Sequence, residues 1–285
     1  MRKLFLIGLM LVIVFISVTA CSDSGSASKP LTQAPAGSLL RKIQDRGKLI
    51  VGTRSDTPTF CYLNPKTNQM EGFDVAIAHE IAGYIFGDSN KVEFKLIKSA
   101  DRLPMVKDGS IDLAIATMTI NDVRVKEIDF SVVYYVGGQR LLVPQVSTIK
   151  GLQDVDNKKV GVIKGSTPGA NLKKVSKAQV VEFENYDDAM KAMMGKQIDA
   201  VSTDDAILYG LQVNNAGTKV VGSQFSYEPY GIGVAKNNPE LLNAVNTVVK
   251  NLKSSGKWKT MWMTEIGSKV GVTIAPDAPS DEWKK

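Results

Sequence analysis

Histidine and cysteine are scarce in this 285-residue sequence: there is one histidine, His79, and there are two cysteines, Cys21 and Cys61. One histidine leaves no set of ligands for a histidine-based zinc site and argues against a Ser-His-Asp triad. Two cysteines permit one disulfide by count, but Cys21 has a better assignment below, which leaves Cys61 as a lone thiol. A phosphate-cradling loop is missing, because Gly165-Ser166-Thr167 lacks the spacing and the lysine of a P-loop. No Lys/Arg-rich run with interleaved aromatics occurs, and without Arg2 and Lys3 the formal charge falls from +6 to +4, so nothing points to nucleic acid. A poised acid, base or nucleophile is also lacking: His79 falls inside an amphipathic stretch, and Cys61 has no evident histidine partner. No metal and no cofactor is expected.

What is present is ordinary for a folded chain, with 44% hydrophobic and 22% charged residues over a length that allows one large domain or two small ones. The N-terminus is the exception. Arg2 and Lys3 precede an almost uninterrupted apolar run over residues 4–18, short for a bilayer-spanning helix and suited to the core of a signal peptide. The run ends Val18-Thr19-Ala20-Cys21, which resembles a bacterial lipobox, in which the cysteine thiol is acylated and becomes the mature N-terminus. Residues 1–21 thus read as a lipoprotein signal peptide, and residues 22–37, rich in Ser, Ala, Gly and Pro, as a flexible tether.

From residue 38 short apolar strands alternate with amphipathic helices. Strands are expected over residues 48–53, 92–97, 113–117 and 139–144, with helices over 74–86 and 102–107, the latter capped by Ser99. A second series places strands over residues 159–163, 180–183, 199–202, 219–221 and 230–235. Its helices cover 168–175, 185–194 (capped by Asn185), 205–212 and 239–253. Alternation of this kind builds parallel or mixed sheets with helices on both faces, and two such series imply two lobes with a small-molecule cleft between them.

At Gly72-Phe73-Asp74-Val75 the sequence resembles the extracellular solute-binding proteins of family 3, receptors for polar amino acids. The likeness spans most of residues 40–265. Val51-Gly52-Thr53-Arg54, Arg102-Leu103-Pro104, Gly109-Ser110-Ile111-Asp112 and the run from Ala116 through Thr117, Thr119 and Asn121 to Arg124 carry it. Asp129-Phe130-Ser131, Lys164-Gly165-Ser166-Thr167 and Thr203-Asp204-Asp205-Ala206 continue it in order. One departure is Ala76, where the family often has an acidic residue. The resemblance implies an α/β, two-lobed periplasmic-binding-protein fold of type II with the ligand in the interlobe cleft. The first lobe would be residues 38–142 plus 229–270 and the second 143–228, with crossings near 141–144 and 227–230 and a loose tail over 271–285.

The implied function is the extracytoplasmic binding component of an ABC amino-acid importer, monomeric and not an enzyme. It would be held to the outer face of the membrane, or within the periplasm, by its lipid anchor. Its implied partners are a small-molecule amino acid and the permease subunits. The competing readings are an enzyme on the same fold, of dehydratase or lytic transglycosylase type, and a sensor that signals through a separate partner.

By the same resemblance the carboxylate clamp falls on Arg124, assisted by backbone N–H groups near Thr119 and Ser166, and the ammonium acceptor on Asp204. Taken alone, Arg124 could pair with Asp122 or Glu127, Arg54 and Arg102 could pair with Asp56 and Asp101 at the rim, and Asp204 could cap a helix. Thr117 would add an acceptor, Tyr186 and Phe60 aromatic walls, and Arg54, Ser99 and Arg102 contacts to the ligand side chain. Three arginines against Asp204 alone give +2, which favours glutamate or aspartate, because an uncompensated buried charge costs roughly 3–5 kcal/mol. Ile163, standing where the glutamate/aspartate branch tends to have a hydroxyl, leaves glutamine or cystine open.

Overall fold

A computed structural model describes residues 30–284. The expectations at Cys21, and the signal segment before it, lie outside the described residues. The chain opens with α1 (Leu39–Arg46), β1 (Leu49–Thr53) and a meander of β2 (Asp56–Thr57), β3 (Cys61–Asn64) and β4 (Gln69–Glu71). Then come α2 (Phe73–Phe86), β5 (Val92–Leu96), α3 (Arg102–Lys107), β6 (Leu113–Ala114), α4 (Arg124–Glu127) and β7 (Asp129–Phe130). β8 (Tyr135–Gly137) leads into β9 (Gln139–Pro144), β10 (Lys159–Ile163), α5 (Pro168–Val175), β11 (Gln179–Phe183) and α6 (Tyr186–Met194). β12 (Ala200–Asp204), α7 (Asp205–Asn214) and β13 (Thr218–Val221) follow. β14 (Glu228–Tyr230) and β15 (Gly233–Val234) return the chain, and α8 (Pro239–Ser254), α9 (Lys257–Trp262) and α10 (Ser268–Val270) close it.

Two five-stranded sheets share one topology. The first runs β5-β1-β6-β15-β7 and the second β11-β10-β12-β9-β13. In each, the first three strands are parallel and the fourth, β15 or β9, follows directly on a ribbon strand and enters antiparallel. The lobes are joined by a ribbon in which β8 pairs antiparallel with β14, Gly137 opposite Glu228 and Tyr135 opposite Tyr230. Residues 227–230, expected as the return crossing, run into β14 of this ribbon. The outgoing one is corrected: Leu141–Pro144 lies within the second sheet, paired to β12 and β13, and β8 makes the crossing. An apolar strand buried on both faces reads alike in either place.

Local chemistry explains the helices. α2 buries Phe73, Val75, Ile77, Ala78, Ile81, Ala82 and Ile85 and ends at Gly87, whose φ of 74° serves the left-handed cap. Asn185 caps α6, accepting from the Asp188 amide at 2.8 Å. Ser99 does not cap α3; Asp101 takes that position, and its carboxylate accepts from the Lys98 amide. α8 lays Leu241, Val245, Val248 and Leu252 against α1 and α2, returning the chain to the first lobe.

Both expected loose segments are partly docked. Within the tether, the Leu31 amide donates to the Tyr84 carbonyl, the Ala34 amide donates to Gln44, and Leu31 and Ala34 pack on the core. In the tail, Lys253 pairs with Asp281 at 2.9 Å, the Asp281 carbonyl accepts from the Val133 amide, and Ala275 and Ala278 pack on the core. A few small apolar groups and backbone bonds hold such segments without any periodic signal. Among the described residues no helix is long and apolar enough to cross a membrane.

Candidate functional site

The cleft opens at the carboxyl ends of β1, β6, β10 and β12, the place where open α/β sheets present their loops to a ligand. Arg54, Ser99, Arg102, Thr117, Thr119 and Arg124 line it from the first lobe. Ser166, Thr167, Tyr186, Thr203, Asp204 and Ile207 line it from the second, around a small, nearly closed cavity. Nine of the ten expected residues are thus brought together. Phe60 is the exception: it is fully buried, stacked edge-on to Tyr135 at 4.9 Å and Tyr230 at 5.6 Å, and wedges the base of the ribbon instead of forming a wall.

Arg124 is aimed inward by the turn before it, where the Asn121 side-chain carbonyl accepts from the Val123 and Arg124 amides. Neither surface pairing occurs, since Glu127 pairs with Lys107 and Asp122 with Lys284. Its guanidinium donates to the Thr119 carbonyl at 2.7 Å and, across the cleft, to the Gly165 carbonyl at 3.0 Å. Burial lowers its pKa, against Glu228 and Asp204. The expected help from the Ser166 amide is absent, because that amide donates to the Ile163 carbonyl.

Arg102 reaches the same carbonyl on Gly165 at 3.1 Å and also donates to the carbonyls of Ser99, Ala116 and Thr117. It has carbonyl partners and no carboxylate, and burial, then Arg124 and Arg54, push it down to about 9. Arg54 differs. It makes a bidentate pair with Asp56 at 2.8 and 2.6 Å, stands 4.8 Å from the Tyr186 ring, and donates to the Ser99 hydroxyl. Burial, the largest influence on it, opposes its charge, and Asp56 more than offsets this, so its pKa is raised.

Asp204 ends β12 at the first position before α7, yet its side chain makes no capping bond. One oxygen, Oδ2, accepts from the Tyr230 hydroxyl; the other, Oδ1, is buried with no partner. Burial, then Glu228, raises its carboxyl well above the usual carboxylate range.

Four contributors escaped the sequence reading. Asp74, present in the Gly-Phe-Asp motif but given no role, accepts from the Thr117 amide at 2.7 Å and the Tyr134 hydroxyl at 2.9 Å. It holds Thr117 at a φ of 48°, a conformation costly for a β-branched residue. Burial pushes the Asp74 carboxyl up to about 6. Gly165 supplies the carbonyl that both arginines share. Asp56, two residues past Arg54, was read as a rim partner and is instead nearly buried. Glu228, isolated in sequence, is 2% exposed and accepts from Thr119, Thr167 and Asn171. The charge count from sequence is therefore corrected: three guanidiniums stand near three carboxyl groups, Asp56, Asp204 and Glu228, and once a ligand ammonium holds Asp204 ionised the site is near neutral.

Cys61 is buried behind the site, 2.9 Å from the Thr57 hydroxyl, and burial pushes its thiol up to about 12, far from a nucleophile. His79 lies on α2 with Nδ1 2.7 Å from the Ser89 carbonyl, away from the cleft.

The family model of bacterial extracellular solute-binding proteins, family 3, matches residues 49–264. The ABC transporter glutamine-binding protein GlnH of Bacillus subtilis is 39% identical over 264 residues, covering 92% of this chain and 96% of the relative. The glutamate-binding protein GluB of Corynebacterium efficiens is 30% identical over 269 residues, 90% of this chain and 88% of the relative. Among solved structures, an ancestral arginine-binding protein bound to glutamine superposes with a TM-score of 0.71 at 37% identity, covering 77% of this chain and 98% of that one.

Proposed function

The chain belongs to the bacterial extracellular solute-binding proteins of family 3, amino-acid receptors of ABC importers and not enzymes, and on that footing we propose that its ligand is a net-neutral polar amino acid, L-glutamine. The observation that carries this reading is the buried, unpartnered Oδ1 of Asp204 in a cleft whose three arginines have Asp56 and Glu228 close behind its lining. An ammonium group completes the Asp204 carboxylate. The α-carboxylate is taken by Arg124, beside the Thr119 loop and the N-terminus of α5, where the helix dipole favours an anion. Arg54, Ser99, Arg102, Thr117 and Tyr186 then surround the side chain. An amide adds no charge there and can both donate and accept, whereas a second carboxylate meets Arg54 already paired with Asp56 and Arg102 with its N–H donors already engaged by the carbonyls of Ser99, Ala116, Thr117 and Gly165. The relative that is called a glutamine-binding protein, and the solved structure that holds glutamine, support the same choice.

The ligand is caught first by one lobe and covered by the other through rotation at the β8–β14 ribbon. A lipid at Cys21 holds the protein to the membrane, it acts as a monomer, and permease subunits receive the closed form. The test is calorimetry of the purified protein with L-glutamine, L-glutamate, L-cystine and L-arginine. Glutamine should bind most tightly, with glutamate weaker by at least about a hundredfold, since a buried uncompensated charge costs roughly 3–5 kcal/mol. Tighter binding of glutamate than of glutamine overturns the assignment.

A further inference from the structure

Glu228 stands on the return strand of the ribbon and is bonded to both lobes at once. Its Oε2 accepts from the Thr119 hydroxyl of the first lobe at 2.8 Å and from the Thr167 hydroxyl of the second at 2.7 Å. Its Oε1 accepts from Asn171 Nδ2, on α5 of the second lobe, at 2.8 Å. Gln139 locks the arrangement from behind: its Nε2 donates to the Thr167 hydroxyl at 2.9 Å, and its Oε1 accepts from Asn171 at 3.1 Å. The hydroxyl hydrogen of Thr167 is thereby directed at the carboxylate, because its oxygen already receives a donor.

We propose that Glu228 is the latch of the closed state, a positioning residue that governs ligand release. The hinge runs through its own strand. Rotation that parts the lobes draws Thr119 away from Thr167 and Asn171, and one carboxylate cannot follow both. The full set of three bonds therefore exists only when the cleft is shut, and neither sheet needs it to fold. Asn171 lies outside the cavity lining, so its effect on release cannot come from touching the ligand. The inference rests on the reading above only in needing an amino acid in the cleft.

The experiment measures release and capture of radiolabelled amino acids by stopped reaction on the purified protein, with L-glutamine first and the other nineteen standard amino acids after it. Glu228→Gln keeps the shape and removes the charge. It should speed release by about tenfold or more, because the two hydroxyl bonds lose their charge assistance and the amide nitrogen that replaces Oε1 meets Asn171 Nδ2, donor against donor. Capture should stay within about threefold, since the latch forms after encounter. Asn171→Ala should speed release by about threefold or more and add little on top of Glu228→Gln, as expected for partners in one network. Release at the wild-type rate in both variants, or a loss of affinity lying wholly in capture, overturns the latch. If Glu228→Gln loses its circular-dichroism fold, the Asn171→Ala release rate decides alone. If wild type prefers another amino acid, the glutamine assignment falls while the latch is judged on that ligand; if none of the twenty is retained, both fall.

Discussion

Replacing Gly165 by alanine separates folding from closure. Gly165 has a φ of +76°, and a Cβ there would lie 2.6 Å from the Cα of Ala100 and 2.7 Å from its nitrogen, on the opposite lobe. Two costs follow, and they act on different equilibria. The left-handed backbone costs an L-residue about 1–2 kcal/mol whether the cleft is open or shut, so it lowers the melting temperature and cancels from the binding constant. The collision with Ala100 exists only in the closed form and is backbone against new Cβ, with no rotamer to relieve it. Restoring a carbon contact of about 3.5 Å requires the lobes to part by about 1 Å. That stretches the bonds from Arg102 and Arg124 to the Gly165 carbonyl, now 3.1 and 3.0 Å, beyond useful length. At about 1.5–3 kcal/mol for a bond from a charged donor, losing the two weakens binding by more than a hundredfold. Calorimetry with L-glutamine, run beside thermal melts, reads both. A dissociation constant within threefold of wild type, with only the melt lowered, would refute the assignment of Gly165 as the closing contact.

Burial and Glu228 raise the Asp204 carboxyl, and a ligand ammonium draws it down again, so binding should release protons at pH values between the ligand-bound and the raised ligand-free pKa. Apparent affinity should then rise with pH through the range below the raised pKa of Asp204. Within that range calorimetry in phosphate and in Tris should give different heats; equal heats across it would refute the linked proton release, and Asp204→Asn should remove the difference while weakening binding more than about tenfold. Phe60→Leu should leave glutamine affinity within about threefold and lower the melting temperature by about 2–4 °C for each kcal/mol of packing lost. A large affinity loss with an unchanged melt would return Phe60 to the cavity wall.

Much of the fold was legible because its periodic segments are decided locally. Gln139–Pro144, Lys159–Ile163, Arg102–Lys107 and Pro168–Val175 fall where the pattern of apolar residues puts them. The misses share a cause. The apolar run at residues 230–235 reads as one strand, but the chain changes partner within it: Tyr230 still faces Tyr135 in the ribbon, and Gly233 already pairs with Ala114 in the first sheet. Periodicity reports which side of a strand is buried and carries no information on which strand lies beside it. The meander β2–β4 was invisible for a related reason, being short, half-exposed and held by its register and not by an apolar face.

The site divides along the same line. Arg124 and Asp204 stand in runs whose order and spacing resemble a known family, and the structure brings both to one cavity. The charge balance of that cavity was misjudged because electrostatics depends on every group within a few ångströms, however far apart in sequence. Asp56 was visible beside Arg54, but whether such a pair sits at the rim or deep in the cleft is set by α6, whose Tyr186 amide donates to Asp56 at 2.8 Å. Glu228 follows Arg124 by more than a hundred residues and reaches it only because the chain crosses back through the ribbon. One carboxylate set deep by the packing of α6 and one delivered by the returning ribbon bring a site that counts as +2 towards neutrality, and the proposed preference for an amide over an acid rests on that balance. Side-chain selectivity in this scaffold therefore depends on which acids the second lobe and the hinge bring up to the arginines, and on more than the arginines that a motif displays.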